Sequence, residues 1–211
     1  MSKELVTTKQ TDSVQHMANA KGVGRVRFQK ALDDGRFSRF LDGLKELEYV
    51  HEFRIHKDGV DVPALIGRLR PTYFVSEYAE AMMGNQEFLI GPKEDAVIRV
   101  YTCASLGVAG WSETDFLGPK GYEHVKQFGL GKCMPDDAQY VRIAHSKQEL
   151  NEWIRFAHDP ISAVGYSSVF LVGHVSVGGL CVFGDGLHSL YGLLPGRLVA
   201  LRLASPVRNP A

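Results

Sequence analysis

Cysteine is the residue type in this chain that most readily performs chemistry, because a thiolate beside a histidine can act as a nucleophile. Three cysteines occur, Cys103, Cys133 and Cys181, and they are far apart and form no C-x-x-C pair. This pattern favours free thiols in a reducing compartment over a disulfide or a metal site. One hypothesis is therefore a small cytosolic enzyme with a reactive thiol at Cys133 or Cys181. No Gly-x-Ser-x-Gly elbow or other local signature accompanies it.

Histidines and paired carboxylates are the other side chains that could support catalysis or hold a metal ion. The histidines are His16, His51, His56, His124, His145, His158, His174 and His188. None forms H-E-x-x-H or pairs with a cysteine at a zinc-finger spacing, so we expect structural roles for them. The pairs Asp33-Asp34 and Asp136-Asp137 lie in turn contexts, where aspartate more often caps than transfers protons. The sequence thus predicts no catalytic residue, no metal site and no cofactor.

Two glycine-rich stretches resemble nucleotide-binding loops, and neither has the required spacing. The stretch from Gly129 to Cys133 ends like a phosphate loop, but Lys126 stands where the first glycine is needed. Cys133 also occupies the place of the serine or threonine that would bind magnesium. The stretch from Gly22 to Gly24 lacks a third glycine and a preceding strand. We therefore reject both as phosphate sites.

The overall charge excludes a strong general attraction to nucleic acid or to an anionic membrane. The 211 residues include 24 Lys and Arg and 24 Asp and Glu, which balance. The N-terminus has no apolar segment typical of a secretory signal. The longest apolar runs, such as Val169 to Val172, are too short to span a bilayer. We expect a cytoplasmic protein without a membrane span.

The first part of the chain, residues 1–48, has the spacing of short helices separated by glycines. It also carries basic residues between Lys21 and Arg39, so a nucleic-acid-associated protein using these helices is an alternative hypothesis. Asp33, Asp34 and Asp42 are interleaved with the basic residues. This mixture is typical of a solvated helix face, and nucleic acid is not the favoured partner.

From Tyr49 the pattern changes to alternation, which indicates strands. Residues 51–55 and 60–64 flank Asp58-Gly59, and this arrangement predicts a β-hairpin. A helix is predicted from Val75 to Met83 with Gly84 at its end. Further strands are predicted at 88–90, 96–103 and 139–144. Residues 147–153 could be helical, and 153–157 could equally form a strand before Asp159-Pro160.

The tail after Trp153 has a restricted composition. It contains no Lys, Glu, Gln, Met or Trp, five types that make up roughly a fifth of ordinary sequence. Chance absence over this length is on the order of one in a million. Alternation predicts strands at Ser168–His174, Leu180–Phe183 and Leu198–Leu203. The segment from Gly184 to Gly196 has turns and scattered polar residues, so we expect it to be an irregular loop.

Several stretches of the tail resemble a known family. These are Glu152 through Ile161, the pair Val169-Phe170, the pair Gly179-Leu180 and the ending from Pro195 to Arg202. They are similar to the C-terminal domain of bacterial proteins related to the variable proteins of diversity-generating retroelements. The resemblance implies a C-type-lectin-like fold of the kind found in formylglycine-generating enzyme. In that fold a final strand is preceded by an irregular, ligand-facing segment.

The resemblance also implies an explanation for the restricted composition. Such retroelements replace adenines during reverse transcription, chiefly in AAC-like codons, and no codon of that type can come to encode Lys, Glu, Gln, Met or Trp. Gly184 to Gly196 would be the diversified segment. Cys181 alone cannot reproduce the cysteine pair of the related oxidase, which argues against that catalysis. The implied contact residues are Phe183, Asp185, Leu187, His188, Ser189, Tyr191 and Leu194.

Together these observations predict an α+β protein with two parts. Residues 1–48 form a helical N-terminal segment, and residues 49–211 form a C-type-lectin-like ligand-binding domain. The favoured function is non-enzymatic binding of a protein or other macromolecular ligand through a hypervariable C-terminal surface. The expected contacts are small, apolar and aromatic side chains of the kind that dominate binding surfaces.

Overall fold

The computed structural model describes Lys30, Asp33, residues 47–187 and residues 192–204. The chain divides into two units, Met1–Glu46 and Leu47–Ala211. Of the predicted N-terminal helical segment, Lys30 and Asp33 are described and both are helical. Its other residues before 47, including most of the basic ones, lie outside the described residues.

The described part of the second unit consists of nine strands and five short helices. The strands are β1 (His51–Lys57), β2 (Phe74–Val75), β3 (Glu94–Thr102), β4 (Leu130–Gly131), β5 (Trp153–Phe156), β6 (Ile161–Ala163), β7 (Tyr166–Val175), β8 (Gly179–Gly186) and β9 (Leu198–Leu203). The helices are α1 (Val62–Leu69), α2 (Glu77–Met83), α3 (Glu113–Leu117), α4 (Pro119–Lys126) and α5 (Asp137–Ala144). This is a mixed α and β structure, as predicted.

All nine strands belong to one sheet. Its main order is β1-β3-β9-β5-β7-β8-β2, with β4 also paired to β9 and β6 to β7. The last strand, β9, lies in the middle, antiparallel to β3 and parallel to β5. Strand β2 joins the opposite edge by parallel pairing with β8. The sheet is therefore mixed, and its centre is completed by a segment from the end of the chain.

The two faces of the sheet carry separate apolar cores. Alternation along β9 sends Ala200 into the first core, and Val199 and Leu201 into the second. Helices α1, α2 and α5 cover the first core, and α3 and α4 contribute to the second. Because the central strands are buried on both sides, their sequences are nearly continuous apolar runs, as in Val169 to Val172.

The sequence-based strand predictions are confirmed where alternation or apolar runs are longest. Strand β9 has the predicted limits, and β3, β7 and β8 overlap the predicted segments. Helix α2 ends at Gly84, as predicted, and begins after Ser76, whose side chain accepts a hydrogen bond from the Ala79 N–H at 3.1 Å. Of the two possibilities around Trp153, the strand is correct. Asn151 has a φ of 66°, which ends any helix before β5.

The predicted hairpin at Asp58-Gly59 is wrong, because the segment after the turn is helix α1. The side chain of Asp61 caps this helix by accepting the Ala64 N–H at 2.9 Å. Pro63 lies in the first turn, where its fixed φ suits a helix. Leu65 and Leu69 then fall on one buried face. Capping and helical spacing therefore outweigh the alternation of residues 60–64.

The predicted strand at 139–144 is also wrong, since this segment belongs to helix α5. Six consecutive residues, Asp137–Arg142, are buried. A helix buried on all sides has no polar face, so its apolar residues do not show the usual helical spacing. The predicted strand at 88–90 is absent as well, and only Phe88 and Ile90 of it contact the first core.

Candidate functional site

The predicted recognition segment begins inside the sheet. Strand β8 continues to Gly186 because Ser168, Val169 and Phe170 of β7 pair with its last three residues. The expectation that an irregular loop starts at Gly184 is therefore wrong. Asp185 consequently has a fixed direction set by strand geometry. It lies on the same sheet face as Phe183, two residues earlier.

Gly184 allows helix α2 to pack directly on strand β8. A Cβ atom at this position would lie 2.6 Å from the Cδ1 atom of Tyr78, and it would also overlap Met82. Such a distance is too short for any side chain unless the side chains of Tyr78 and Met82 move. The glycine of the predicted variable segment is thus required by packing on the first-core side, opposite Phe183 and Asp185.

Three aromatic rings form a row across the other face of the sheet. Trp153 of β5 lies over Gly173 of β7, where an added Cβ would come within 2.5 Å of its Cζ3 atom. The Phe183 ring meets Trp153 edge-on with centroids 5.4 Å apart. Phe74 continues the row at 5.6 Å from Phe183. One edge-to-face contact and one tilted contact thus join the three rings into a continuous apolar surface. We call it the aromatic row.

A cleft of about 650 Å³ adjoins one end of this row. Trp153, Leu171 and Leu198 supply apolar lining, and Leu194 lines it from the segment that precedes β9. The aromatic row and the C-terminal end of the predicted recognition segment, near Leu194, therefore both border this cleft. The remaining lining residues are Asn151, Glu152, Arg155, Asp185, Gly196 and Arg197.

Alternating charges line the same cleft. The buried Arg155, only 4% exposed, forms ion pairs with Asp185 and with Glu113, the latter at 3.2 Å. Arg197 pairs with Glu113 from the other side. Burial lowers the pKa of Arg155, and the two carboxylates oppose this effect. The cluster is neutral in sum, and it ties β5, β8, α3 and the start of β9 together.

Leu187 lies away from this cleft. Its backbone N–H donates to the Ser167 carbonyl at 2.8 Å, and its side chain packs against the second core. It lines another cleft of about 660 Å³ together with Leu117, Pro160 and Tyr166. The structure thus brings Phe183, Asp185 and Leu194 near one cleft and Leu187 to a second. His188, Ser189 and Tyr191 lie outside the described residues.

A buried charge cluster that the sequence did not indicate lies between β1 and α5. Lys57, Asp136 and Asp137 are completely buried, and the Lys57 Nζ lies 2.5 Å from Asp136 Oδ1 and 3.1 Å from Asp137 Oδ1. Arg202 of β9 donates from Nε to Asp137 Oδ2 at 2.8 Å. The expectation of simple capping is wrong for Asp136, whose side chain accepts no capping bond at the start of α5. Its carboxylate instead pairs with Lys57 in the buried cluster.

The three cysteines are free and buried. Burial raises the pKa of Cys103 to about 11 and the pKa of Cys133 and Cys181 above the ordinary value. The Cys133 Sγ–H donates to the Ala200 carbonyl, and the Cys181 Sγ–H to the Gly173 carbonyl. These thiols are therefore protonated at neutral pH. That state does not favour nucleophilic chemistry.

The comparisons with known proteins show no relative of this chain. No family model, curated protein or solved structure matches the chain. Among residues 47–187 and 192–204, no group of three or more His, Cys, Asp or Glu side chains is placed to hold a metal ion. In the same part of the chain, every helix is too short or too polar to cross a membrane.

Proposed function

We propose that this chain is a non-enzymatic ligand-binding protein related to the variable proteins of diversity-generating retroelements. Its second unit would be a C-type-lectin-like scaffold, with the recognition surface formed by the cleft beside the aromatic row and by the loop between β8 and β9. The ligand would be a protein or another macromolecule. A cytoplasmic location is part of the proposal and is supported by the free thiols of Cys103, Cys133 and Cys181.

The observation that carries the proposal is the convergence of the two ends of the recognition segment. Asp185, near its start, and Leu194, near its end, line one cleft with Trp153. Phe183 packs on Trp153 and joins that surface. The strands beneath it pack on the first core with their other face, and such a scaffold can present changeable loop residues without losing its own packing. This arrangement suits recognition more than catalysis.

The topology gives a second line of support. The final strand β9 lies at the centre of the sheet, and the segment that precedes it supplies Leu194, Gly196 and Arg197 to the cleft. A final strand that completes the domain after an irregular, ligand-facing segment is what the resemblance implies. Aromatic rings such as Trp153 and Phe183 would anchor a ligand by buried area, as in antibody paratopes.

Sequencing of the DNA around the gene tests the retroelement part of this proposal. We expect a nearby reverse transcriptase gene and a template repeat that matches the codons for residues 184–196. The two copies should differ chiefly where the template has adenine. The codons for residues 154–183 serve as the internal control and should show no such bias. Absence of a template repeat would contradict the retroelement origin and leave the cleft to be tested by binding.

Leu193 and Leu194 provide a matched test of which side chain is displayed. Leu194 is 65% exposed and Leu193 is 1% exposed. We expect Leu194→Ala to change the free energy of unfolding by less than about 0.5 kcal/mol, as for other surface sites. Leu193→Ala should lower it by at least about 2 kcal/mol, because it leaves a cavity in the second core. Urea denaturation measures both, and a similar loss for the two variants would contradict the display of Leu194.

A further inference from the structure

The buried pair Lys57 and Asp136 has no part in the proposed recognition surface. Both side chains are completely buried, and the Lys57 Nζ lies 2.5 Å from Asp136 Oδ1. An amine and a carboxyl group held at this distance, away from water, are the two reactants of an amide bond. Positioning of this kind replaces the encounter of two separate molecules and can raise rates by orders of magnitude.

The backbone at Gly91 is arranged around the same pair. Its N–H donates to Asp136 Oδ2 at 2.9 Å. This donor points at the oxygen that becomes negative when a nucleophile adds to the Asp136 carboxyl carbon. Gly91 has no side chain to interfere, since a Cβ there would lie 3.0 Å from Lys57 Cε and 3.3 Å from Asp136 Oδ1. The site therefore has a nucleophile, an electrophile and an oxyanion donor.

Asp137 supplies a second carboxylate next to the amine. Its Oδ1 lies 3.1 Å from the Lys57 Nζ. Arg202 donates to both its oxygens, at 2.8 and 2.9 Å, and the Met134 N–H donates to Oδ2 at 2.8 Å. These donors fix the position of the Asp137 side chain beside the amine, where a carboxylate oxygen can accept a proton.

We propose that Lys57 and Asp136 condense to form an intramolecular isopeptide bond. A proton first moves from the Lys57 ammonium to the Asp136 carboxylate, which leaves a neutral amine and a carboxylic acid. The Nζ atom then adds to the Asp136 carboxyl carbon, and the Gly91 N–H stabilises the oxyanion on Oδ2. Asp137 takes a proton from Nζ and returns it to Oδ1, which departs as water. One N–C bond forms, one C–O bond breaks, and no oxidant or cofactor is consumed.

Burial disfavours charged side chains, and the step needs Asp136 as the neutral acid. Burial raises the pKa of Asp136 above its ordinary value, while the hydrogen bond from Lys57 acts in the opposite direction. Asp137 differs from Asp136 in pairing with Arg202 as well as with Lys57. The two adjacent aspartates therefore have different tasks, one as electrophile and one as proton carrier.

The mass of the intact wild-type protein tests this inference. We expect it to equal the sequence mass less one water molecule. Trypsin should then release one joined species containing residues 55–68 and 133–142, since modified Lys57 is no longer cleaved. Lys57→Arg keeps the positive charge but should have its full sequence mass. A wild-type protein with the full mass that releases residues 55–57, 58–68 and 133–142 as three separate peptides would overturn the proposal.

Two controls separate the cross-link from other causes. Asp58-Gly59 could also lose water by forming a cyclic imide, so fragment spectra must locate the change. Water loss within a linear peptide of residues 58–68, with Lys57 cleaved normally, would overturn the inference. In Asp137→Asn, folded protein isolated by gel filtration should contain mainly the uncross-linked form. Complete cross-linking in that variant would contradict the role of Asp137. None of these results depends on whether the recognition proposal is correct.

Discussion

Replacement of Lys57 by methionine should lower the free energy of unfolding by about 3–5 kcal/mol, as expected when one partner of a buried ion pair is removed. Methionine fills a similar volume, but Asp136 would be left as a buried carboxyl group without Lys57, whether the two are paired as ions or joined covalently in the wild type. Asp137 would keep Arg202. Urea denaturation followed by circular dichroism measures the change. A loss below about 1 kcal/mol would contradict the importance of the pair.

Two further variants identify the origin of that loss. Arg54→Met removes a cation from the same strand, β1, at a side chain that is 82% exposed. The free energy of unfolding of this variant should stay within about 0.5 kcal/mol of the wild-type value. The double variant Lys57→Met with Asp136→Leu should be more stable than Lys57→Met alone, because no unpaired carboxylate is then buried. This difference between the two variants is expected whether or not the wild-type protein forms the isopeptide bond, because both variants lack Lys57. Equal stability of the two would show that Asp136 does not need a cation.

Acidification from about pH 7 to about pH 4 should remove about 3 kcal/mol of stability through His158 alone. Burial lowers the pKa of His158 from 6.5 to about 4. Its Nε2 accepts the Phe170 N–H at 3.0 Å, so the Nδ1 proton is donated to the Asp159 carbonyl. Protonation of Nε2 would place its N–H opposite the Phe170 N–H, and two donors cannot form a hydrogen bond with each other. Below pH 6.5 His158 is therefore protonated in the unfolded state, whereas in the folded state it stays neutral down to about pH 4.

The sign of the effect is set by proton uptake. Between about pH 4 and 6.5 the unfolded chain binds more protons at His158, so stability rises with pH through this range and is fully present above it. His158→Gln should keep an acceptor for the Phe170 N–H and flatten the profile. His56→Gln is the matched control, since it removes an exposed histidine that pairs with Asp95. Identical slopes for wild type and His158→Gln would contradict the prediction.

The sequence predicted those elements whose burial is regular. Strands β7 and β9 are buried on both faces, and their apolar runs are long enough to identify them. Helix α5 was mistaken for a strand because all its sides are covered, which removes the helical spacing of polar residues. Helix α1 was mistaken because Asp58-Gly59 indicates a turn but does not determine whether a strand or a helix comes after it. Local propensity was outweighed in both cases by packing from distant parts of the chain.

The site was predicted less completely than the fold. Phe183, Asp185 and Leu194 were implied as contact residues by the family resemblance, whereas Trp153 and Arg155 belong to the stretches that carry it and were given no contact role. Their role depends on pairing between β5, β7 and β8, which no local pattern indicates. The pair Lys57 and Asp136 is separated by 79 positions, and a single sequence contains no signal for such a contact.

The central position of β9 has a consequence for biosynthesis. A ribosome makes β3 and β5 well before Leu198–Leu203, so the gap between these strands stays open until β9 emerges. The domain therefore cannot finish folding on a truncated chain. A frameshift or stop codon between residues 184 and 196 would remove β9 and leave unpaired strand edges for cellular proteases. Because the proposed variable segment lies just before this strand, only genes that keep the reading frame through that segment would yield a folded protein.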